Sequence, residues 1–586
     1  MTQYHPLNNL VSLRRYIKSH GLDGFVVPMN DFFNNEYVPE TLNRLKFLTG
    51  FTGSSGVCIV TLNHVAFYTD SRYLLQASQE LDSHHYEVLD INATQSCGWF
   101  GKALMPHSKL GYDPNLHTKS NLDYYQKLAS RYNFEVAPTT NLIDILWVRP
   151  TEQNIKPAYQ LPEQYCGDSI AHQIERTINA MSADHLLVTN PESLCWLLNI
   201  RGHDIGYVPV VLCAGIISRD GSVQLFTDPQ KFTFDIKDVT IDCLSNLESA
   251  LGSIIAHNEK VQADPRSTPV KLTAMLGASL IEAKNPIELL KSIKSDRETC
   301  NIRQAHFDDG LALTKFLYWL WQQKEGEVDE IIAAEKLLEF RQKCSQSFVS
   351  PSFATISAYG ANAAIIHYKA TPQTNKVIAR DNFYLLDSGG QYLTGTTDVT
   401  RTLHLGIPSS QQKDLYTLVL KGHIMLADAK FPVGTCGSQL DALARYNLWQ
   451  HGLDYGHSTG HGVGYFLSVH EGPQKIGRSS SDNVALKPGM ILSNEPGYYL
   501  AGEMGIRLEN LMVVKEGASS GFLQFETLTT VPFQSNLINY DLLATREKGW
   551  LKSYQDRILA AYQEHLSADE VKWLMRGCTL VDNYQG

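Results

Sequence analysis

The sequence predicts a mixed α/β chain, with α+β character towards its end, built as two related α/β modules followed by a region that holds the chemistry. Three observations predict it. Two early segments repeat one pattern of apolar runs and glycine turns, a helical period dominates around residue 300, and beyond it strands alternate with glycine turns and dense His, Asp and Glu. At 586 residues the chain is also too long for one core, since domains average roughly 150 residues.

In the first segment Phe47-Leu48-Thr49-Gly50-Phe51 precedes an apolar run and then Phe67-Tyr68-Thr69-Asp70. In the second, Trp196-Leu197-Leu198-Asn199-Ile200-Arg201-Gly202 precedes Val210 to Ile217 and then Leu225-Phe226-Thr227-Asp228. Each reads as strand, glycine turn, strand, turn and strand, with helical patterns beside them at Leu10 to Ser19 and Ser169 to Ser182. An internal duplication accounts for both, joined in the polar, proline-punctuated stretch from Arg149 to Pro162. From Ile281 to Gln323 the period is helical, with Leu289, Leu290 and Ile293 on one face and Lys291 and Lys294 turned away. The tail from Asp541 is helical again, and its Trp550, Leu551, Ile558, Leu559, Trp573 and Leu574 read as packing or self-association contacts. The expected regions are 1–152, 153–290 and 291–586.

Composition narrows the function classes. Fifty Lys+Arg against 61 Asp+Glu leave a formal charge of -11 without a basic block, which argues against nucleic acid or anionic lipid as a partner. The ten cysteines form no C-x-x-C pair and suit a reducing cytoplasm. The first residues lack an apolar leader core, and the longest apolar run, Tyr207 to Ile217, is too short to cross a bilayer.

The chemistry is expected in two acidic hairpins. In FYLLDSGGQYLTGTTDVTRTL, Asp387 and Asp398 are equidistant from a midpoint between Tyr392 and Leu393, so a regular hairpin sets them face to face. In MILSNEPGYYLAGEMGIRLENLMVV, Glu495 and Glu509 are equidistant from Gly502, and Arg507, two residues from Glu509, shares its face and can brace a neighbouring carboxylate. Four opposed carboxylates carry a charge that two divalent ions, but not one, can balance. Oxygen donors with an imidazole favour Mn²⁺, and Zn²⁺, Co²⁺ or Fe²⁺ also fit. That imidazole can come from His457, His461 or His470 in HSTGHGVGYFLSVHEGP, or from His367 at the end of the apolar run 363–366.

These motifs, DSGGQYxxGTTDVTRT, STGHGVGxFLxVHEGP, NEPGYY and GIRLEN, resemble those of the pita-bread metallopeptidases. Within them the likeness is greatest to the long, three-domain cytosolic Xaa-Pro aminopeptidases, and it runs from TGFTGSSG and YTDSRY through WLLNIRGHD and AIIHY to FETLTTVPF. The resemblance implies two creatinase-like N-terminal domains before a catalytic pita-bread domain, peptide substrates with proline second, and a homodimer. It also implies a dinuclear site, usually of Mn²⁺, with Asp398 and Glu509 bridging, Asp387 completing one ion's shell, and His461 with Glu495 completing the other's. His470 would bond the scissile carbonyl oxygen, His367 would contact substrate and assist the leaving proline, and Glu495 would shuttle a proton. His457 would line the proline side, Arg507 and Tyr499 would stand behind Asp387, and Arg201 and Asp204 of the RGHD segment would reach substrate. Tyr359 stands where relatives carry a smaller residue, which points to an altered pocket entrance.

Other readings fare worse. Gly456-His457-Ser458-Thr459-Gly460 matches a serine-hydrolase elbow, but glycines follow where that motif needs a helix. His470-Glu471 does not continue as H-E-x-x-H. A prolidase, cleaving dipeptides alone, is the nearest alternative, and a non-catalytic binding module is disfavoured because all five ligand positions are present.

Overall fold

A computed structural model describes residues 6–150, 155–478 and 483–578. The expected join at 152 and 153 lies outside the described residues. The chain divides into two compact units, one of Met1–Gln160 with Ser169–Leu290 and one of Leu161–Asp168 with Lys291–Gly586.

The first unit contains two six-stranded sheets. One is formed by β1 (Gly24–Pro28), β2 (Val57–Thr61), β3 (Val65–Thr69), β4 (Glu87–Asp90), β5 (Lys109–Tyr112) and β6 (Glu135–Pro138), in the order β4-β3-β2-β1-β5-β6. The other is formed by β7 (His185–Val188), β8 (Ala214–Ser218), β9 (Val223–Thr227), β10 (Val239–Cys243), β11 (Val261–Ala263) and β12 (Leu280–Glu282), in the order β10-β9-β8-β7-β11-β12. In each sheet the second strand runs antiparallel to both its neighbours and every other pair is parallel. The shared topology matches the repeat read from the sequence.

Alternation along the strands explains the layering. Phe25, Val27, Cys58, Val60 and Phe67 face a core completed by Leu10, Leu13 and Ile17 of the first helix, whereas Val26, Ile59, Ala66 and Tyr68 face one completed by Tyr125, Leu128 and Ala129 of helix Lys119–Tyr132. In the first repeat the leading element is not the strand that the apolar run suggests, and in the second only Ile200–Arg201 is strand. Arg44–Thr49 and Pro191–Leu197 are short helices, because their ends carry helix signals. Asn43 and Asn190 accept from the backbone N–H groups of Lys46 and Ser193, Pro191 starts the second helix, and Gly50 ends the first at φ +78°. Four aspartates, at 70, 113, 228 and 264, stand just past strand ends, and each accepts the backbone N–H two residues on.

The second unit opens with helix Asp296–Gln322, started by a reciprocal cap between Ser295 and Glu298. Its core gathers Phe316 and Leu317 of that helix with Leu386, Val399, Tyr416, Ile506 and Leu508. Helices Ser410–Ala427 and Gly437–Trp449 pack closely at Gly422, where a β-carbon would lie 2.0 Å from the Ala444 carbonyl oxygen. The tail forms helices Thr545–Tyr562 and Ala568–Met575. Ile558, Trp573 and Leu574 are buried in the same core, and Trp550, Leu551 and Leu559 lie against it. Lys291 and Lys294 depart from expectation: each is 4% exposed and bonded to buried Glu471, while Leu289 is 36% exposed. Local periodicity misplaced them because their partner lies 177 residues beyond Lys294. Among the described residues no cysteine is in a disulfide, and no helix is long and apolar enough to cross a membrane.

Candidate metal centre

The two acidic hairpins differ in register. In the second, Asn494 pairs with Asn510 and Gly497 with Arg507, so the register on both sides sets Glu495 opposite Glu509. Its turn holds Gly502 at φ +79°, a conformation costly to any residue with a β-carbon. In the first, strand Tyr384–Ser388 meets Val399–Leu403 with Asp387 opposite Thr400, not opposite Asp398. Gln391 pairs with Thr396 and Tyr392 with Gly395, so the turn lies at Leu393 and Thr394, one residue past the expected midpoint. Gly395 makes this possible at φ +146°, and a β-carbon there would lie 2.8 Å from Ile302 Cγ1. Asp398 is thus diagonal to Asp387. An offset of two keeps both on one face.

Asp398, His461 and Glu509 each present a ligand atom within 4.8 Å of the other two. His461 Nδ1 donates to the Gly462 carbonyl oxygen at 2.9 Å, which leaves Nε2 as the lone-pair nitrogen, 3.4 Å from Asp398 Oδ2 and 3.7 Å from Glu495 Oε1. Arg507 Nη2 donates to Asp387 Oδ2 at 2.6 Å. Three buried oxygens, Asp387 Oδ1, Asp398 Oδ1 and Glu509 Oε1, have no hydrogen-bond partner. Burial, followed by the neighbouring carboxylates, drives the Asp398 and Glu509 carboxyls well above the ordinary range. For Glu495 the same two causes give about 7. Carboxylates that are buried, mutually repelling and short of donors, with an imidazole lone pair beside them, fit a site for divalent cations.

Other predicted residues surround this cluster. The His470 ring stands edge-on to His461, with centroids 4.4 Å apart, and stacks nearly parallel to His367 at 6.3 Å. Arg507 Nη1 donates to the Tyr499 hydroxyl at 2.8 Å, that hydroxyl lies 2.9 Å from His457 Nε2, and His457 Nδ1 donates to the Ser458 carbonyl oxygen at 2.7 Å. This chain runs from the bracing guanidinium to the wall of the site. Ser458 leads into the two-residue strand Gly460–His461 rather than a helix, as its glycines suggested.

One predicted residue is placed elsewhere. Tyr359, expected at a pocket entrance, is 8% exposed in the core, and its hydroxyl engages Asp381 and the Asn382 N–H. Ile356 pairs with Asp387, so Tyr359, three residues on, points to the opposite face of the sheet. Arg201 and Asp204 belong to the first unit. There Arg201 Nη1 donates to the carbonyl oxygens of Cys195 and Ile200, and Asp204 accepts from Lys231 and the Leu212 N–H.

Sequence reasoning missed the supports. Thr400 Oγ1 donates to Glu509 Oε2 at 2.8 Å and accepts from Arg507 Nε at 3.2 Å. Arg401 donates to the Glu509 carbonyl oxygen at 2.6 Å, and Ser493 Oγ accepts the His461 N–H at 2.9 Å. The available signal was adjacency, since Thr400 and Arg401 directly follow the Asp398-Val399 step.

Comparison with known proteins adds to this geometry. The family model described as Creatinase/Prolidase N-terminal domain matches residues 10–146, and a second model of that description matches 148–298. Metallopeptidase family M24 matches 300–516, and the C-terminal region of peptidase M24 matches 521–581. The curated "Probable Xaa-Pro aminopeptidase P" of Laccaria bicolor is 37% identical over 98% of this chain and 94% of its own length. "Aminopeptidase P1" of Arabidopsis thaliana is 34% identical over 97% of this chain and 98% of its own. Among solved structures, the X-prolyl aminopeptidase of Caenorhabditis elegans, described as a cytosolic enzyme with a di-nuclear active site, superposes with TM-score 0.92 at 32% identity, covering 98% of this chain and 100% of that one.

Proposed function

The chain belongs to metallopeptidase family M24, among the Xaa-Pro aminopeptidases P, and from that membership we propose that it removes the first residue of peptides whose second residue is proline. The observation that carries this reading is the set of three buried carboxylate oxygens without donors beside the His461 lone pair. Asp387, Asp398, His461, Glu495 and Glu509 are the residues that would hold the two ions. Two divalent cations there, Mn²⁺ by our assignment, would supply Lewis acidity and a water acidic enough to act near neutrality.

The remaining steps belong to the chain. An Xaa-Pro bond is a tertiary amide without an N–H, so the site must recognise it through the carbonyl and through shape. His470 donates to the scissile carbonyl oxygen and stabilises the charge that grows there. Glu495 accepts the proton of the attacking water and returns it to the departing proline nitrogen, assisted by His367. The Arg507–Tyr499–His457 chain fixes the proline side of the pocket. We assign the cytoplasm, in keeping with ten cysteines outside disulfides, and a homodimer, as the family resemblance implies.

The test is hydrolysis of Arg-Pro-Pro beside Arg-Ala-Ala and an Xaa-Pro dipeptide, after chelation and after return of Mn²⁺. Metal-dependent release of arginine from Arg-Pro-Pro alone is expected. Comparable cleavage of Arg-Ala-Ala overturns the specificity, and cleavage of the dipeptide alone identifies a prolidase.

A further inference from the structure

Lys291 is the penultimate residue of helix Pro286–Ser292, and Lys294 lies two residues past the helix end. Their Nζ atoms each lie 2.7 Å from a different oxygen of Glu471, and all three residues are buried. Lys294 Nζ also donates to the Lys291 carbonyl oxygen at 3.0 Å. Removing three charges from water is costly, and an apolar trio of similar volume commonly avoids that cost. Stability is therefore a poor account of the cluster. Geometry is a better one: with both oxygens held, the Glu471 side chain has one orientation. Its backbone N–H donates at 2.8 Å to the Gly462 carbonyl oxygen, the same atom that accepts from His461 Nδ1. His470 is the residue immediately before it.

We propose that Lys291 and Lys294 are positioning residues for His470. By gripping Glu471 they hold the His470 imidazole edge-on to His461 and parallel to His367. This inference rests on the reading that His470 faces the scissile carbonyl.

A double-mutant cycle on the metal-loaded enzyme tests it, with kcat, KM and metal content measured for Lys294→Met, Lys291→Met, His470→Ala and Lys294→Met with His470→Ala. Each lysine variant is expected to lower kcat by about ten- to a hundredfold, with KM and metal content near wild type. Added to His470→Ala, Lys294→Met should change kcat by less than about twofold, because its effect passes through a group already gone. A triple variant, Lys291→Met with Lys294→Met and Glu471→Leu, should recover thermal stability without recovering kcat. A double variant that loses the product of the two single losses overturns the proposal, as does a triple variant that recovers kcat along with stability. Full activity of His470→Ala is a separate outcome: it overturns the role given to His470, and this inference with it.

Discussion

Aspartates at strand ends behave differently in the two units. In the first unit, Asp70 and Asp264 each accept the backbone N–H two residues on and then receive the guanidinium of that same residue, Arg72 or Arg266, through both carboxylate oxygens. The tripeptide Asp-x-Arg uses both of its own carboxylate oxygens, and Ser55 or the Asn285 N–H occupies a further acceptor position. In the second unit, Asp398 is followed by valine and threonine, Arg507 is directed at Asp387, and both Asp398 and Glu509 keep an oxygen without a donor. Residue type is the same in both places. What marks a cation site is surplus acceptor capacity that the local chain does not consume.

That contrast can be broken from its strongest side first. Asp398→Ala removes a shared ligand and is expected to lower kcat/KM on Arg-Pro-Pro on the order of 10⁴-fold, with metal content falling in parallel by elemental analysis; full activity would refute the metal mechanism. His470→Ala should cost about 10²-fold in kcat with metal retained, so a loss of metal instead would make it a ligand.

The third expectation concerns pH. The folded, metal-free chain keeps the Glu495 proton up to about pH 7, whereas the ordinary value is 4.5. Between those limits the folded form binds more protons than the unfolded one, so its stability falls as pH rises. Chelated protein should therefore unfold at lower temperature at pH 7 than at pH 5, and Mn²⁺ at a hundredfold excess over Kd should restore about 3 kcal/mol for each ion bound. A chelated protein equally stable at both pH values would contradict the burial and repulsion that raise Glu495. Smallest is Arg72→Met in the first unit. Both partners of that pair are partly exposed, so about 1 kcal/mol or less should be lost, with kcat unchanged; a catalytic effect would erase the distinction between the two settings.

Much of this architecture was legible because local chemistry dictated it. The repeated Thr-Asp after an apolar run marked corresponding strand ends, and Gly502 announced a turn whose register follows from counting. Short apolar runs such as Phe47-Leu48-Thr49 were not legible as helices, since six residues carry too little periodicity and the deciding signals are the caps at Asn43 and Gly50. The burial of Lys291 and Lys294 was out of reach for another reason: it depends on Glu471, distant in sequence. The metal-facing residues were readable as types, while Thr400 and Arg401, which hold Glu509, looked like ordinary strand residues.

The displaced turn of the first hairpin has a consequence for how its loop can vary in length. Asp387 and Asp398 keep a common face because the pairing is offset by two positions, and any even change would preserve that face while an odd one would send Asp398 to the other side. Insertions between Leu393 and Thr394 that leave Asp387 opposite Thr400 should thus be tolerated, whereas a slip of the pairing by one position should not, a rule for lineages and for library design alike.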